Sequence, residues 1–205
     1  MFPDLFRDDV FTLETPRLFL RWPKASDAAA IVTLAGDRRV AEMTARIPHP
    51  YPADEATKFI IAVRNANADG HQLMLAISTR TNPEKLIGMI GVERGCAGTE
   101  FGYWLGVPHW GKGYMTEAAQ ALIDALFLYT EEDAVSASIR VMNTASRKVL
   151  EHCGFQYEGG GMCIRPAWGD STPSDTYRLT RSLWSSLKGW RAPVPYGREL
   201  AAGGM

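Results

Sequence analysis

Residues 104–117 read W-L-G-V-P-H-W-G-K-G-Y-M-T-E, which is the most informative stretch of the sequence. A strand-like run that ends at Leu105 leads into a glycine-rich loop, Gly111-Lys112-Gly113, and a helical pattern follows immediately. Glycines between a strand and a helix let backbone amides surround an anion, and the helix dipole adds positive potential at the same place. The stretch therefore predicts a loop that binds a phosphate-bearing ligand. An ordinary tight turn is the alternative, because Gly-x-Gly is common in loops.

Two familiar phosphate-binding motifs do not fit this loop. A Walker P-loop needs GxxxxGK followed by Ser or Thr, whereas Tyr114 follows Gly113 here. A Rossmann GxGxxG motif would place glycine where Thr116 stands, and the long βαβ frame is missing. A bound pyrophosphate would instead use the free amides of residues 111–115, with the Lys112 ammonium nearby.

Composition narrows the class of protein. The 205 residues suit one large domain, which we place at residues 1–190, with a loose tail at residues 191–205. Lys and Arg number 22 against 23 Asp and Glu, a balance that gives no sign of a nucleic-acid partner. Three widely spaced cysteines without a CxxC pair predict neither a disulfide framework nor a metal site. Without an export-like or membrane-spanning apolar run, we predict a cytoplasmic protein with no membrane partner.

The hydrophobic pattern predicts an α+β fold, a mixed, mostly antiparallel sheet flanked by helices. Ser26 stands where a helix N-cap belongs, and the two apolar runs after His71 read as a hairpin. The predicted strands are Leu13–Trp22, Leu73–Ile77, Leu86–Val92, Glu100–Leu105, Val135–Val141, Phe155–Glu158 or Met162–Arg165, and Thr176–Leu179. The predicted helices are Asp27–Leu34, Asp54–Ala66 with an inward stripe of Ala56, Phe59, Ile60 and Val63, Thr116–Tyr129 with Tyr129 among its inward residues, and a short one ending at His152.

The glycine loop resembles the coenzyme A-binding motif of the GNAT superfamily of N-acetyltransferases. That motif is Gln or Arg, two residues, Gly, one residue, then Gly or Ala, and Trp110, Gly113 and Met115 occupy these positions. Trp110 followed by Gly-Lys-Gly-Tyr is similar to the branch that acetylates ribosomal-protein N-termini. Met115 departs from the small residue of the family pattern.

This resemblance implies the GNAT acyl-CoA N-acyltransferase fold and acetyl-CoA as the cofactor. It implies direct transfer of an acetyl group to a primary amine, which is a peptide or protein N-terminus or a small-molecule amine, by a monomer or homodimer. The cofactor-binding residues implied in this part of the chain are Leu105, Val107, Trp110, Gly111, Lys112, Gly113, Tyr114, Met115 and Thr116. The alternatives are a non-catalytic acyl-CoA-binding module and an unrelated nucleotide-binding α+β domain.

A second segment, residues 141–155, reads V-M-N-T-A-S-R-K-V-L-E-H-C-G-F. It resembles the family's next motif, Asn-x-x-Ser leading into a helix that ends in Gly-Phe. The resemblance implies that Asn143 contacts the pantetheine arm and that Ser146 lies close to the cofactor. Asn143 also suits a helix N-cap, and both roles are compatible.

The chemistry implied needs a base, because an alkyl ammonium with a pKa near 10 is mostly protonated at neutral pH. Family members carry a carboxylate on the strand before the loop, and Glu100 holds that position; a solvated strand-end carboxylate is the alternative. A free backbone amide near Val107 would polarise the thioester carbonyl. The family's tyrosine acid would fall at Leu150, which leaves Tyr103 as a candidate acid or as packing. The acceptor is expected over the loop at residues 47–52 and the turn near His71.

Overall fold

The computed structural model describes residues 2–95 and 98–191, in which an eight-stranded sheet runs in the order β1-β2-β3-β4-β5-β6-β8-β7. Its strands are β1 Thr12–Glu14, β2 Leu18–Arg21, β3 Gln72–Thr79, β4 Asn82–Gly95, β5 Gly98–Leu105, β6 Ala134–Arg140, β7 Gln156–Arg165 and β8 Asp170–Thr180. Its helices are α1 Ala28–Ala35, α2 Arg38–Ala41, α3 Ala53–Ala68, α4 Tyr114–Tyr129, α5 Thr144–His152 and α6 Arg181–Arg191. Among these strands only β5 and β6 pair in parallel, so the predicted α+β class with a mostly antiparallel sheet is confirmed.

The first predicted strand, Leu13–Trp22, is wrong, because the chain folds there into a hairpin of β1 and β2. The Thr15 amide donates to the Leu18 carbonyl at 3.0 Å, and the Leu18 amide donates to Thr15 Oγ1 at 2.9 Å. Pro16 lies inside this turn, where its fixed φ and missing N–H are tolerated. Apolar residues alternate with polar ones on both sides of the turn, so the sequence pattern looked like one continuous strand.

The predicted N-cap at Ser26 is also wrong. Residues 25–27 form a 3₁₀ turn, and α1 starts at Ala28 after Asp27. The Asp27 carboxylate forms a buried bidentate ion pair with Arg21, at 2.8 and 2.9 Å, and accepts from the Lys24 amide at 2.7 Å. These bonds connect the start of α1 to the end of β2. Because they engage the Asp27 carboxylate, the helix begins after this residue.

Most other predicted elements are present with shifted ends. The β3–β4 hairpin is confirmed but longer, and β7 joins the two alternative segments into one strand. Residues 96 and 97, between β4 and β5, lie outside the described residues. Helices α2 and α6 were not predicted. Of the predicted tail, Arg191 ends α6 and the remainder lies outside the described residues.

Two apolar cores lie on opposite faces of the sheet. Helix α4 covers one face with Ala118, Leu122 and Leu126, each fully buried. Helices α1 and α3 cover the other face, where Ala56, Ile60 and Met89 are buried. The predicted inward position of Tyr129 is wrong, since it is 52% exposed in the last turn of α4, where its ring edge meets Phe6.

In the described part of the chain, none of the helices combines the length and the apolar character needed to cross a membrane.

Candidate functional site

The glycine loop lies between β5 and α4, as the sequence predicted. Gly111 and Gly113 have φ values of 72° and 75°, in the left-handed region that favours glycine. A side chain at Gly111 would meet no atom within 4 Å, so the surface above the loop is open. Gly113 caps α4 without a side-chain hydrogen bond, and the first bond of the helix is from the Glu117 amide to the Gly113 carbonyl. The amides of the first turn, including that of Thr116, therefore remain available to an anion.

Met115, which departs from the family pattern, does not narrow this loop. Its side chain is 7% exposed and belongs to the apolar core beneath α4. Side chains in the first turn of a helix diverge, and this position points into the protein rather than towards the loop surface. A large residue is therefore accommodated without loss of space for a ligand.

Trp110 fastens the start of the loop to the end of β5. Its indole Nε1 donates to the Leu105 carbonyl at 2.6 Å, while 44% of the residue stays exposed. Between them the chain forms a 3₁₀ turn over Val107–His109. The tryptophan thus sets the distance between the strand end and the glycine loop.

Arg17, in the β1–β2 turn, contacts the loop from the other side. Its Nη1 donates to the Lys112 carbonyl at 2.8 Å, its Nε donates to Glu117 Oε2 at 2.6 Å, and its guanidinium lies 4.9 Å from the Tyr114 ring centroid. Thr15 adds a hydrogen bond from its hydroxyl to Glu117 Oε1 at 2.6 Å. Sequence reasoning missed this set, because its partners lie about 100 positions apart and belong to no local motif.

Titratable groups around the loop report its electrostatics. Burial alone would raise the pKa of Glu117, but hydrogen bonds from Thr15 and Arg17 outweigh it and lower that pKa. Burial lowers the pKa of His109, and the positive charges of Lys112 and Lys85 lower it further. Lys112 and Lys85 therefore place positive charge beside His109, on the side where the loop would hold an anion.

Strands β5 and β6 separate next to the loop. They pair only at Thr99 with Val135 and at Glu100 with Ser136, and beyond these residues they diverge into a V-shaped gap. On the other edge of β5, the Gly106 amide donates to the Ile87 carbonyl of β4 at 2.9 Å. Because successive residues of a strand direct their amides to opposite neighbours, the Leu105 amide faces the gap.

Helix α5 borders the same gap. Asn143 is its N-cap, as predicted, with Oδ1 accepting from the Ser146 amide at 3.0 Å. Ser146 Oγ lies 2.7 Å from the Tyr103 hydroxyl, so α5 and β5 are joined by a pair of hydroxyl groups. Burial raises the pKa of Tyr103 above its usual range, and the hydrogen bond with Ser146 offsets only part of this rise. Leu150, where the family pattern has a tyrosine, is fully buried in the core.

Glu100 stands where the gap closes. Its side chain is exposed and shares a face of β5 with Gly102 and Trp104, the face covered by α1 and α3. In the β4–β5 register it lies opposite Glu93, which forms an ion pair with Arg46 at 2.6 Å. Two carboxylates therefore lie side by side on one row of the sheet. The structure places Glu100 on the sheet face that α1 and α3 cover, and its catalytic role stays a prediction.

The model of the family described as Acetyltransferase (GNAT) domain matches residues 17–156 of this sequence. The chain belongs to this family. A curated relative, the uncharacterized N-acetyltransferase p20 of Bacillus licheniformis, is 32% identical over 152 residues, which cover 72% of this chain and 84% of the relative.

Solved structures share the fold. The structure described as a probable acetyltransferase has a TM-score of 0.75 at 25% identity and covers 85% of this chain and 99% of its own. Mycobacterium smegmatis RimJ in complex with CoA-disulfide has a TM-score of 0.72 at 23% identity, covering 88% of this chain and 90% of its own. At such identities the likeness to RimJ concerns the fold, and the family membership rests on the family model and the relative. As a GNAT acetyltransferase, the chain uses acetyl-CoA for N-acetyl transfer.

Proposed function

We propose that this chain moves an acetyl group directly from acetyl-CoA to a primary amine, with the cofactor on the glycine loop and the amine beside Glu100. One observation carries the proposal: the gap between β5 and β6 has an open anion site at one end and a carboxylate where it closes. Residues rise by about 3.3 Å along a strand, so Leu105 lies about 17 Å from Glu100. An elongated ligand with phosphates at one end and its reactive group on an arm suits this arrangement.

The loop residues fit the pyrophosphate of coenzyme A. Backbone amides of residues 111–116 would hold its oxygens, with the Lys112 ammonium as the mobile counter-charge. The Asn143 side chain keeps its NH₂ group for the pantetheine amides, because Oδ1 is the atom that caps α5. When bound, acetyl-CoA supplies an activated acyl group, and the protein supplies position and proton transfers.

The Leu105 amide suits a hydrogen bond to the arm of the cofactor, because the thioester itself must lie closer to the acceptor nitrogen beside Glu100. It faces the gap at the point where β6 has diverged, so no strand ladder uses it. The neighbouring Val107 amide opens the 3₁₀ turn and offers a second donor.

Glu100 receives a proton from the acceptor nitrogen, either directly or through water. The new C–N bond forms as the C–S bond breaks, and the ammonium loses two protons overall, one of which ends on the thiol sulfur. Tyr103, whose hydroxyl lies 2.7 Å from Ser146 Oγ, is the candidate donor to the sulfur, and the second proton lost by the ammonium restores its hydroxyl.

The Glu100→Gln substitution tests this assignment. We expect kcat to fall by about 10²- to 10⁴-fold, the usual contribution of a general base. Coenzyme A binding, measured by calorimetry, should change by less than about twofold, since the substitution removes a charge far from the loop. Glu93→Gln is the matched control on the same row of the sheet, and it should retain most of the turnover.

If kcat falls as much in Glu93→Gln as in Glu100→Gln, the assignment of the base to Glu100 is contradicted. Tight binding of coenzyme A without acetylation of any amine would indicate the non-catalytic module instead. A cytoplasmic location, a monomeric or homodimeric state, and the lack of nucleic-acid or membrane partners belong to the same proposal, supported only by composition and pattern.

A further inference from the structure

A cavity of about 360 Å³ opens on the sheet face that carries Glu100. Helices α1 and α3 form two of its walls, the loop before α3 forms a third, and the sheet forms its floor. Its apolar lining includes Ile31, Tyr51, Phe59, Val63 and Trp104. This volume lies in the range of small-molecule pockets, about 300–1,000 Å³.

The strand register connects this cavity to Glu100. Gln72, which lines the cavity, pairs with Glu93, and Glu93 pairs with Glu100, so the three side chains occupy one row and one face of the sheet. Adjacent strands lie about 4.8 Å apart, which places Gln72 about 10 Å from Glu100. Trp104 lines the cavity from the same strand that carries Glu100. A molecule in the cavity can therefore extend a short chain to the carboxylate.

Gly102 keeps that path open. It lies between Glu100 and Trp104 on the same face, and a Cβ built there would meet nothing within 4 Å. Gly91, its partner on β4, is different, since a Cβ there would come within 2.7 Å of the Leu73 carbonyl oxygen. The space above Gly102 is therefore unused by the protein itself.

The charges at the cavity argue against a polycationic occupant. Among the described residues that line it, Arg46 is charged and Gln72 is polar, and none is acidic. Arg46 lies at the exposed rim, where Glu93 neutralises it at 2.6 Å. A second ammonium on the acceptor would enter the cavity without a partner, and burying an unpaired charge is strongly unfavourable.

We infer that the acceptor is a primary amine that carries one aromatic or branched aliphatic group, which occupies this cavity while the nitrogen reaches Glu100. The inference rests on the proposed function, because it takes Glu100 as the place of the reacting nitrogen. A free arylalkylamine and a peptide with an N-terminal phenylalanine share this chemistry. The cavity recognises the apolar group, and the reaction at the nitrogen is the same in both.

The test compares kcat/KM for acetylation of 2-phenylethylamine, ethylamine, spermidine, a phenylalanyl peptide and an alanyl peptide. Burial of a ring of this size predicts about 10- to 100-fold higher kcat/KM for 2-phenylethylamine than for ethylamine. If peptides are substrates, kcat/KM should be higher for the phenylalanyl peptide than for the alanyl peptide. If they are not, only the free amines should be acetylated. Preference for spermidine, or equal rates for the two free amines, would overturn the inference.

Two matched variants locate the effect. Ala66 lines the cavity from α3, and Ala66→Leu should lower kcat/KM for 2-phenylethylamine by at least about 10-fold while sparing ethylamine. Ala68→Leu introduces the same side chain on the exposed end of α3 outside the cavity, and it should leave both values unchanged. Leucine suits a helix, so both variants are expected to fold.

A third variant tests the path to Glu100. Gly102→Val should abolish acetylation of 2-phenylethylamine without loss of coenzyme A binding, whereas Gly161→Val, at an equally open glycine of β7, should not. An unchanged kcat/KM for 2-phenylethylamine in Ala66→Leu or Gly102→Val would overturn the inference while leaving the proposed function intact. If neither amine nor peptide is acetylated at all, the proposed function fails together with it.

Discussion

Surroundings give ordinary side chains at this site different properties. Tyr103 and Ser146 share a partly buried hydrogen bond, Glu117 accepts hydrogen bonds from Thr15 and Arg17, and Glu100 remains exposed at the end of the gap. Each residue type occurs elsewhere in the chain without such neighbours. The proposed division of work follows from these contacts: a protonated donor, an anchored anion and an accessible base.

His109 offers a titration that reports the occupied loop. Its pKa is lowered in the free protein by burial and by Lys112 and Lys85, all of which disfavour the imidazolium form. Bound phosphates add negative charge nearby and favour that form, so the pKa of His109 should rise in the complex. Coenzyme A should therefore bind more tightly as the pH falls through the interval between the pKa of His109 in the bound protein and its pKa in the free protein. The affinity should increase by about tenfold for each unit by which coenzyme A raises this pKa.

NMR titration of His109 with and without coenzyme A measures this rise directly. The His109→Gln variant controls for the titration of the phosphates themselves. Its affinity for coenzyme A should depend less steeply on pH than that of the unchanged protein. An unchanged or lower pKa of His109 in the complex would contradict the placement of phosphates beside it.

At the level of elements, the β1–β2 hairpin supports the glycine loop from outside the motif. Arg17 contacts both the Lys112 carbonyl and Glu117, so it joins the loop to the first turn of α4. Glu117 lies beside the positive end of the helix, where a carboxylate is favourable, but its two partners direct it towards the hairpin rather than the ligand. The loop thereby keeps its amides free.

Removal of this support should weaken cofactor binding more than stability. Arg17→Ala should raise the Kd for coenzyme A by about 10-fold, since a charge-assisted hydrogen bond contributes roughly 1.5–3 kcal/mol and Arg17 is half exposed. Arg17→Lys should restore only part of the affinity, because an ammonium cannot replace the guanidinium fork. Calorimetry measures both variants.

Arg80→Ala is the matched control for that comparison. Arg80 contacts the same hairpin through the Thr15 carbonyl and Glu14. The Kd of the Arg80→Ala variant for coenzyme A should stay within about twofold of the value for the unchanged protein. Equal losses in both variants would show that the hairpin acts through general stability and not through Arg17.

At the scale of the whole molecule, the sheet separates the two proposed binding sites and the β5–β6 gap connects them. The glycine loop and α4 lie towards one face, while the cavity under α1 and α3 and the exposed Glu100 lie on the other. A cofactor arm that enters the gap can meet an acceptor from the opposite side without sharing its entrance. Direct transfer between two bound substrates needs this kind of arrangement.

Sequence patterns predicted the parts of the site that are local. The loop at residues 111–113, the Asn143 cap and the helix after Gly113 each depend on neighbours within a few positions, and all three are present. Arg17 and the cavity were not predictable in this way. Their partners come from distant segments that only the folded sheet brings together, and the alternating pattern of residues 13–22 even concealed the turn that carries Arg17.

The most direct test of the account is a ¹H–¹⁵N NMR titration of the protein with coenzyme A, compared with pantetheine, which lacks the phosphates. We predict that the amide resonances of residues 111–115 shift most with coenzyme A and do not shift with pantetheine. Shifts concentrated elsewhere in the fold, or the same loop shifts with pantetheine, would contradict a pyrophosphate site at the start of α4.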